Sequence, residues 1–335
     1  MDPLEALNEI AFLLERERSS RYKSRAFRTA ADVVARLDDD ALRDPARLQR
    51  TRGIGPSTFA VVSQALEGRV PDYLAELRRR AEAAGTAESA LRGLLRGDLH
   101  THSDWSDGMT PIPTMLAAAE RLGHDYVALT DHSPRLTVAH GLTAERLEQQ
   151  LEVVASLAGG STRLLSGIEV DILEDGTLDQ DDELLDRLDV VVASVHSDLR
   201  ADSTRMTRRL LAAVANPRVD VLGHVTGRLV EGKRARPPSQ FDAERVFAAC
   251  AANGVAVEIN SRPERQDPPD ELVQVALDAG CLFAIDSDAH APGQLGFLDH
   301  GAERAERLGV PPDRIVTTWP VDRLLEWTHR GRSAA

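Results

Sequence analysis

The sequence predicts an α/β fold, a closed or nearly closed (β/α)7 barrel, preceded by a small all-α helix-hairpin-helix domain. Three observations predict it. From residue 98 onward, short apolar runs alternate with helical segments, the pattern of parallel strands joined by crossover helices. Nearly every one of those runs ends in a histidine or a carboxylate, as when a barrel converges side chains on one rim. Ahead of residue 81 the periodicity is helical, and a Gly-Ile-Gly turn separates two of the helices.

Residues 4–18 place Leu4, Leu7, Ile10, Ala11 and Leu14 at helical spacing, with charge on the opposite face. A second helix fits 24–37 and a third 45–49, ahead of the turn Thr51-Arg52-Gly53-Ile54-Gly55-Pro56-Ser57. Residues 58–66 then read as a helix stopped by Gly68. Glycines let such a hairpin turn sharply, and the free N–H groups of the following helix face outward, where a phosphate can bind. From Arg78-Arg79-Arg80 to Gly97 the chain reads as a helix end and linker. The expected domains are therefore 1–80 (helical), 81–97 (linker) and 98–330 (barrel). Strands are expected at 97–100, 126–129, 163–169, 190–195, 219–223, 256–259 and 283–285. Helices fit 113–122, 144–158, 182–186, 206–215, 243–253 and 270–279.

Composition sets bounds on function. The 335 residues are 42% hydrophobic and 28% charged, enough to bury a sizeable core in more than one domain. Nothing resembles a signal peptide, and the apolar runs are too short to span a bilayer, so no membrane partner is expected. Cys250 and Cys281 stand alone in apolar surroundings, which speaks against a disulfide framework and for the cytoplasm. The net charge of −14 is uneven: residues 1–97 carry 17 Lys and Arg against 15 Asp and Glu, so the acidic excess lies in the remainder. All ten histidines also follow residue 97. Histidine and acid suit a metal-dependent hydrolytic domain, and the slightly basic front suits an anionic polymer.

Nine residues carry the chemistry. They lie in Asp98-Leu99-His100-Thr101-His102-Ser103, at Asp107, in Thr130-Asp131-His132, Gly167-Ile168-Glu169, Val195-His196-Ser197 and Leu222-Gly223-His224, and in Asp286-Ser287-Asp288-Ala289-His290. Six histidines (His100, His102, His132, His196, His224, His290) with three carboxylates (Asp107, Glu169, Asp288) form a multinuclear metal set. His100 and His102, two apart on an extended segment, point to the same side. His124, His140, His300 and His329 lie outside the pattern. Asp131 and Asp286 flank ligands and are candidates to orient an imidazole, or ordinary strand-end turn residues. Mixed imidazole and carboxylate donors suit Zn, Mn or Fe.

Two resemblances add to this reading. The front, through Lys23-Ser24-Arg25-Ala26-Phe27-Arg28-Thr29-Ala30-Ala31 and its hairpin, resembles the small N-terminal domain of family X DNA polymerases. That resemblance implies a grip on DNA through Lys23, Arg25, Arg28 and the amides at Gly53 and Gly55. Some relatives are also lyases with a Schiff-base lysine; here the matching position is Val61, and Lys23 is the only lysine before residue 98, so no amine nucleophile is in place. A nucleotidyl-transfer domain has no room between the front and Asp98, which argues against polymerase activity.

Residues 98–330 resemble the polymerase-and-histidinol-phosphatase (PHP) family of metal-dependent phosphoesterases. The Asp-Leu-His-Thr-His-Ser opening, Ser106-Asp107-Gly108, Thr130-Asp131-His132-Ser133 and the closing Ser-Asp-Ala-His carry the likeness. Glu258-Ile259-Asn260-Ser261 leading into Arg265-Gln266-Asp267 is most like the version attached to bacterial family X polymerases. The resemblance implies a distorted seven-stranded barrel holding three divalent ions. The first takes His100, His102, Glu169 and Asp288; the second Glu169, His196 and His224; the third Asp107, His132 and His290. A hydroxide between the two Glu169-linked ions would attack phosphorus in line, with Arg228 and Arg265 as phosphate clamps. Lys233, Arg234 and Arg236 form a basic loop suited to a nucleic-acid backbone.

The expected activity is hydrolysis of phosphodiesters in DNA, at single strands or 3′ ends, as a 3′–5′ exonuclease or end-processing enzyme. A phosphomonoesterase for histidinol phosphate or a nucleotide would use the same site. A DNA-binding protein with structural metals is the reading of another class, and the full ligand set argues against it.

Overall fold

The computed structural model describes residues 1–84, 89–232 and 235–330. They divide into two units: residues 1–84 with Ala291–Gln294, and the remainder.

The first unit is helical: α1 (Pro3–Arg16), α2 (Arg21–Val34), α3 (Asp39–Arg43), α4 (Pro45–Arg50), α5 (Pro56–Leu66) and α6 (Asp72–Ala84). Asp2 caps α1 by accepting from the Glu5 amide at 2.8 Å, satisfying one of the free donors of its first turn. Leu7, Ile10 and Leu14 of α1 are buried with Phe27, Val34, Leu48, Ile54, Val62, Leu74 and Leu77. Each such side chain contributes about 1.5–3 kcal/mol on burial. The sequence reading lacks α3 and, for α6, recognises only a helix end at Arg78-Arg79-Arg80, with its last residues placed in the linker. Yet α6 contributes Leu74 and Leu77 to this core, and Arg78 grips Glu9 through two hydrogen bonds of 2.6 and 2.7 Å. Val61, at the position where a lyase would carry its amine, is 2% exposed.

The second unit runs β1 (Gly97–Thr101), α7 (Ile112–Arg121), β2 (Tyr126–Leu129), α8 (Ala144–Ser156), β3 (Arg163–Asp171), α9 (Asp182–Leu185), β4 (Val190–Ser194), α10 (Ser203–Val214), β5 (Val221–Leu222), α11 (Ala243–Asn253), β6 (Ala256–Asn260), α12 (Asp270–Asp278), β7 (Leu282–Asp286), α13 (Leu298–Arg307) and α14 (Val321–Thr328). The seven strands lie side by side in chain order, all parallel. Helices α13 and α14 were not read from the sequence. The buried stripe of α13 rests on Leu298, Gly301, Ala302 and Ala305, mostly residues too small to announce an apolar face.

Alternation along the strands sorts the side chains. One face packs Leu99, Ala128, Leu165, Val190, Val192, Val221, Ala256 and Ala284 together with Trp319 and Trp327. The other face, with Ile168, Val170, Val191, Val257 and Phe283, packs against Met206, Leu210, Phe247 and Val273 of the surrounding helices. Stepping two residues at a time along the first face leads from Leu165 to Glu169, from Val192 to His196, from Ala256 to Glu258 and from Ala284 to Asp288. The same pleat that fills one end of the barrel with apolar side chains lines the other with donors.

Closure between β1 and β7 is made differently. Two buried carboxylates reach across: the Leu99 amide donates to Asp286 Oδ1 at 2.9 Å and the Ser287 amide to Asp98 Oδ1 at 3.1 Å. Backbone pairing begins only beyond them, with the His102 amide on the Ala289 carbonyl at 2.8 Å. Burial pushes both carboxyls up, Asp98 to about 6. Among the described residues, no helix is long and apolar enough to cross a membrane.

Candidate metal centre

The ligands predicted from sequence converge at the C-terminal ends of the strands, around Glu169 near the end of β3. Its Oε2 lies 3.2 Å from His100 Nε2, 3.6 Å from His102 Nε2 and 2.8 Å from His132 Nδ1. Its Oε1 lies 3.2 Å from His196 Nε2 and 2.9 Å from His224 Nε2. On the β1–β7 side, His102 Nε2 is 3.5 Å from Asp288 Oδ1. Asp107 Oδ1 is 3.4 Å from His132 Nε2 and 3.2 Å from His290 Nε2.

Local structure explains these placements. Register shifts between Asp98 and Thr101 of β1, just where the two histidines leave the ladder. Gly223 lets His224 follow β5 closely, because a Cβ there would sit 2.3 Å from Ser194 Oγ. Asp288 has φ +51, a left-handed backbone unusual for a non-glycine residue and characteristic of functional positions.

Three groups of donor atoms could each hold an ion: His102, Asp107, His132 and His290; His100, His102 and Glu169; and His132, Glu169 and His196. This grouping differs in part from the one implied by resemblance, since His102 and His132 each serve two groups. His224 and Asp288 fall outside all three, although each lies against a member. Donors about 2.1 Å from one tetrahedral ion stand about 3.4 Å apart, which matches the spacings here. The decisive observation is what these atoms lack. His100 Nε2, both nitrogens of His102 and of His196, His132 Nδ1, Asp107 Oδ1 and both oxygens of Glu169 are buried without a hydrogen-bond partner. Buried polar atoms are almost always paired, and a dense group of orphaned imidazole and carboxylate atoms fits divalent cations.

The electrostatics agree. Burial alone would raise the Glu169 carboxyl, but His100, His132 and His196 outweigh it and hold it well below the carboxylate range. Burial, with His290 and His132 nearby, keeps the His102 imidazole well below its usual value, so it is neutral. For His100 and His132, burial is outweighed by Glu169 with Glu258 or Asp107, which raises His100 well above its usual value and His132 to about 10. In the metal-free chain these two are therefore protonated at neutral pH and must lose their protons to bind a cation. Adding Zn²⁺ to the chelated protein at pH 7 is expected to release about two protons or more. The buffer dependence of the calorimetric enthalpy measures this number; an enthalpy identical in all buffers would contradict it.

Several supporting residues escaped the sequence reading. Glu258 accepts from or shares a proton with His100 Nδ1 at 2.6 Å, and its other oxygen takes the His224 amide and Asn260 Nδ2. Asp171 Oδ1 lies 3.4 Å from His196 Nδ1 and accepts the His196 amide at 3.1 Å. Glu258 orients the His100 imidazole and Asp171 holds the His196 backbone beside its ring, whereas Asp131 and Asp286 bond no imidazole. Asp131 instead accepts from Ser103, Ser106 and Gln150, bracing the turn that carries Asp107. Arg262 donates to the Asp288 carbonyl at 2.8 Å and lies 3.1 Å from His290 Nδ1.

The two arginines expected to clamp phosphate differ. Arg265 Nε bonds Asp288 Oδ2 at 3.0 Å, and its Nη1 is buried without a partner. The Arg228 guanidinium is spent on the backbone carbonyls of Arg265 and Gln266, so it braces that loop. Lys233 and Arg234 lie outside the described residues, and Arg236 bonds the Gly227 carbonyl.

In the helical unit, Lys23 and Arg25 are exposed on α2. Arg28 is not: it forms a two-pronged pair with Glu15 at 3.0 and 2.8 Å and also bonds Asn8. Gly53 takes φ +98, the conformation a glycine hairpin requires. The Gly55 amide is already satisfied by Thr58 Oγ1 at 2.9 Å.

Comparison with known proteins follows the same division. Residues 98–262 match the PHP domain and residues 1–70 a helix-hairpin-helix domain. The DNA polymerase/3′-5′ exonuclease PolX of Bacillus subtilis is 37% identical over 238 residues, 69% of this chain but 41% of that protein, so the chain spans less than half of that relative. A probable phosphatase of Thermoanaerobacter sp. is 28% identical over 236 residues, 66% of this chain and 89% of the relative. A solved histidinol phosphate phosphatase from Lactococcus lactis, in complex with zinc, L-histidinol and phosphate, covers 64% of this chain and 94% of its own. Its TM-score of 0.47 and 17% identity are too low to bear on this chain's substrate.

Proposed function

The chain carries a PHP domain behind a helix-hairpin-helix domain, and on that premise we propose that it is a metal-dependent phosphodiesterase acting on DNA, a 3′–5′ exonuclease or end-processing enzyme. The observation that carries the reading is the ring of orphaned, buried imidazole and carboxylate atoms around Glu169. Three divalent cations, of zinc, manganese or iron, would polarise a phosphoryl group, activate water and neutralise the leaving oxygen there.

The chain's own residues do the rest. Glu169 sets the positions of five imidazoles at once. Glu258 fixes the rotation of His100, and Asp171 anchors the backbone of His196. Arg265 Nη1 offers a charged donor to a phosphoryl oxygen, while Arg228 holds the loop that presents it. On the front domain, Lys23, Arg25 and the Gly53 turn are the proposed contacts to a DNA backbone; Arg28 and Gly55 act as braces.

The test is 5′-labelled single-stranded DNA incubated with the Mn²⁺- or Zn²⁺-loaded protein, beside His102→Ala and a Lys23→Glu/Arg25→Glu double variant. A ladder of shortened products is expected. It should vanish in His102→Ala and need about tenfold more DNA in the double variant, from the lost phosphate contacts. Phosphate release from mononucleotides or histidinol phosphate, with no ladder, would instead identify a small-molecule phosphomonoesterase, the reading that the probable phosphatases favour.

A further inference from the structure

A cavity of about 230 Å³ opens beside the metal centre, lined among others by Asn260, Ser261, Arg262, His300, Arg304 and Arg307. Two of its walls are shared with the ligand shell: Asn260 Nδ2 lies 3.2 Å from Asp288 Oδ2, and Arg262 Nη1 lies 3.1 Å from His290 Nδ1. A group seated in the cavity is therefore one side chain away from the reacting centre.

Two donors in the lining are buried and unpartnered. Ser261 is 2% exposed, packed against Gly301 of α13, and its Oγ has no hydrogen-bond partner. The Arg304 side chain is 9% exposed. Its Nε bonds Asp270 Oδ1 at 2.7 Å and its Nη2 the Pro268 carbonyl, which fixes the guanidinium plane and leaves Nη1 buried without a partner. Neither residue serves the metal ligands directly. Buried donors left unpaired call for an acceptor, and a fixed guanidinium edge beside a hydroxyl matches an anionic oxygen group. The lining has three arginines against a single carboxylate, Glu303, which is exposed. No Phe, Tyr or Trp is present on which a base could stack.

We propose that this cavity holds a second phosphate of the substrate, the diester next to the scissile one along a nucleic-acid strand. The inference rests on the phosphodiesterase reading and narrows it: the preferred substrate has at least two phosphates in succession. Free inorganic phosphate offers the same oxygen chemistry, so the experiment separates the two sources.

With the Mn²⁺-loaded full-length protein, KM and kcat are measured for bis(p-nitrophenyl) phosphate, which has one phosphate, for the thymidine dinucleotide TpT and for the trinucleotide TpTpT. The wild type is expected to show a KM about tenfold lower for TpTpT than for TpT, the worth of one charge-assisted contact. Ser261→Ala and Arg304→Gln should erase that preference and leave bis(p-nitrophenyl) phosphate turnover unchanged. Equal KM values for TpT and TpTpT in the wild type would overturn the proposal, as would variants that lose turnover equally on all three substrates. A protein inactive on every substrate would sink the phosphodiesterase reading instead. Calorimetric titration of the Mn²⁺-loaded full-length protein with slowly hydrolysed phosphorothioate forms of TpT and TpTpT, and with inorganic phosphate, then decides the cavity. Tighter binding of the TpTpT form that Ser261→Ala and Arg304→Gln erase, with inorganic phosphate binding unchanged in both variants, supports it, whereas equal binding of the two forms, or variants that weaken inorganic phosphate equally, overturns it.

Discussion

Replacing Glu169 with glutamine is expected to lower hydrolysis by about a thousandfold or more, because the metal contribution to phosphoryl transfer is several kcal/mol and each 1.36 kcal/mol is tenfold. The substitution keeps size and shape while removing the charge that five imidazoles face. A neutral amide offers one weak oxygen donor where two anionic ones stood, so bound metal should fall along with activity. The carboxylate is 1% exposed and surrounded by imidazoles, two of which it helps to hold protonated in the metal-free chain. Elemental analysis of the purified variant, with its rate on single-stranded DNA and its circular dichroism, is the measurement. Full metal content with an unchanged rate would show that the site is not organised around Glu169.

The second large effect belongs to a residue that binds no cation in this scheme. Glu258→Gln should weaken metal affinity by about 10–100-fold, the usual cost of removing a carboxylate behind a histidine ligand. Glu258 is fully buried and ties three groups: the His100 ring, the His224 amide and the Asn260 side chain. Burial lowers the His100 imidazole and the Glu169 and Glu258 carboxylates raise it. Without the Glu258 charge, His100 gives up its proton at lower pH and becomes a poorer donor with a less fixed ring. Zinc titration of the variant and the wild type compares the two affinities directly. Equal affinities, with a lowered melting temperature alone, would make Glu258 a packing residue rather than an orienting one.

The reason Glu258 was passed over lies in what a sequence records. His100, His102, Asp107, His132, Glu169, His196, His224, Asp288 and His290 stand out as candidates in the sequence because few residue types bind metal and because apolar runs lead into most of them. The strands are legible for a related reason. Parallel strands covered on both faces read as unbroken apolar runs, so Tyr126–Leu129 was found with its exact limits. Orientation is a different matter. That Glu258 meets His100 depends on a ring closing between residues 158 positions apart. Asp131 and Asp286 sit next to ligands in the chain, yet strand geometry turns their carboxylates towards backbone amides. Arg228 follows a ligand strand but faces carbonyls, and Arg28, a basic residue within a basic stretch, is claimed by Glu15. Helix α6 is legible only at its end, where its three arginines sit, and α13 is hidden by alanine and glycine.

The join between β1 and β7 bears on what holding metal does for the barrel. Elsewhere each strand is stitched to its neighbour by main-chain bonds; here Asp98 and Asp286 reach across before the backbone pairs, and burial raises both carboxyls. His102 stands at one lip of the join and Asp288 at the other, 3.5 Å apart. A cation gripped by both is a clasp on a hoop that is otherwise fastened by two buttons. The ion and the fastening of the fold would then be one object, and a chain stripped of metal is expected to loosen first along that line.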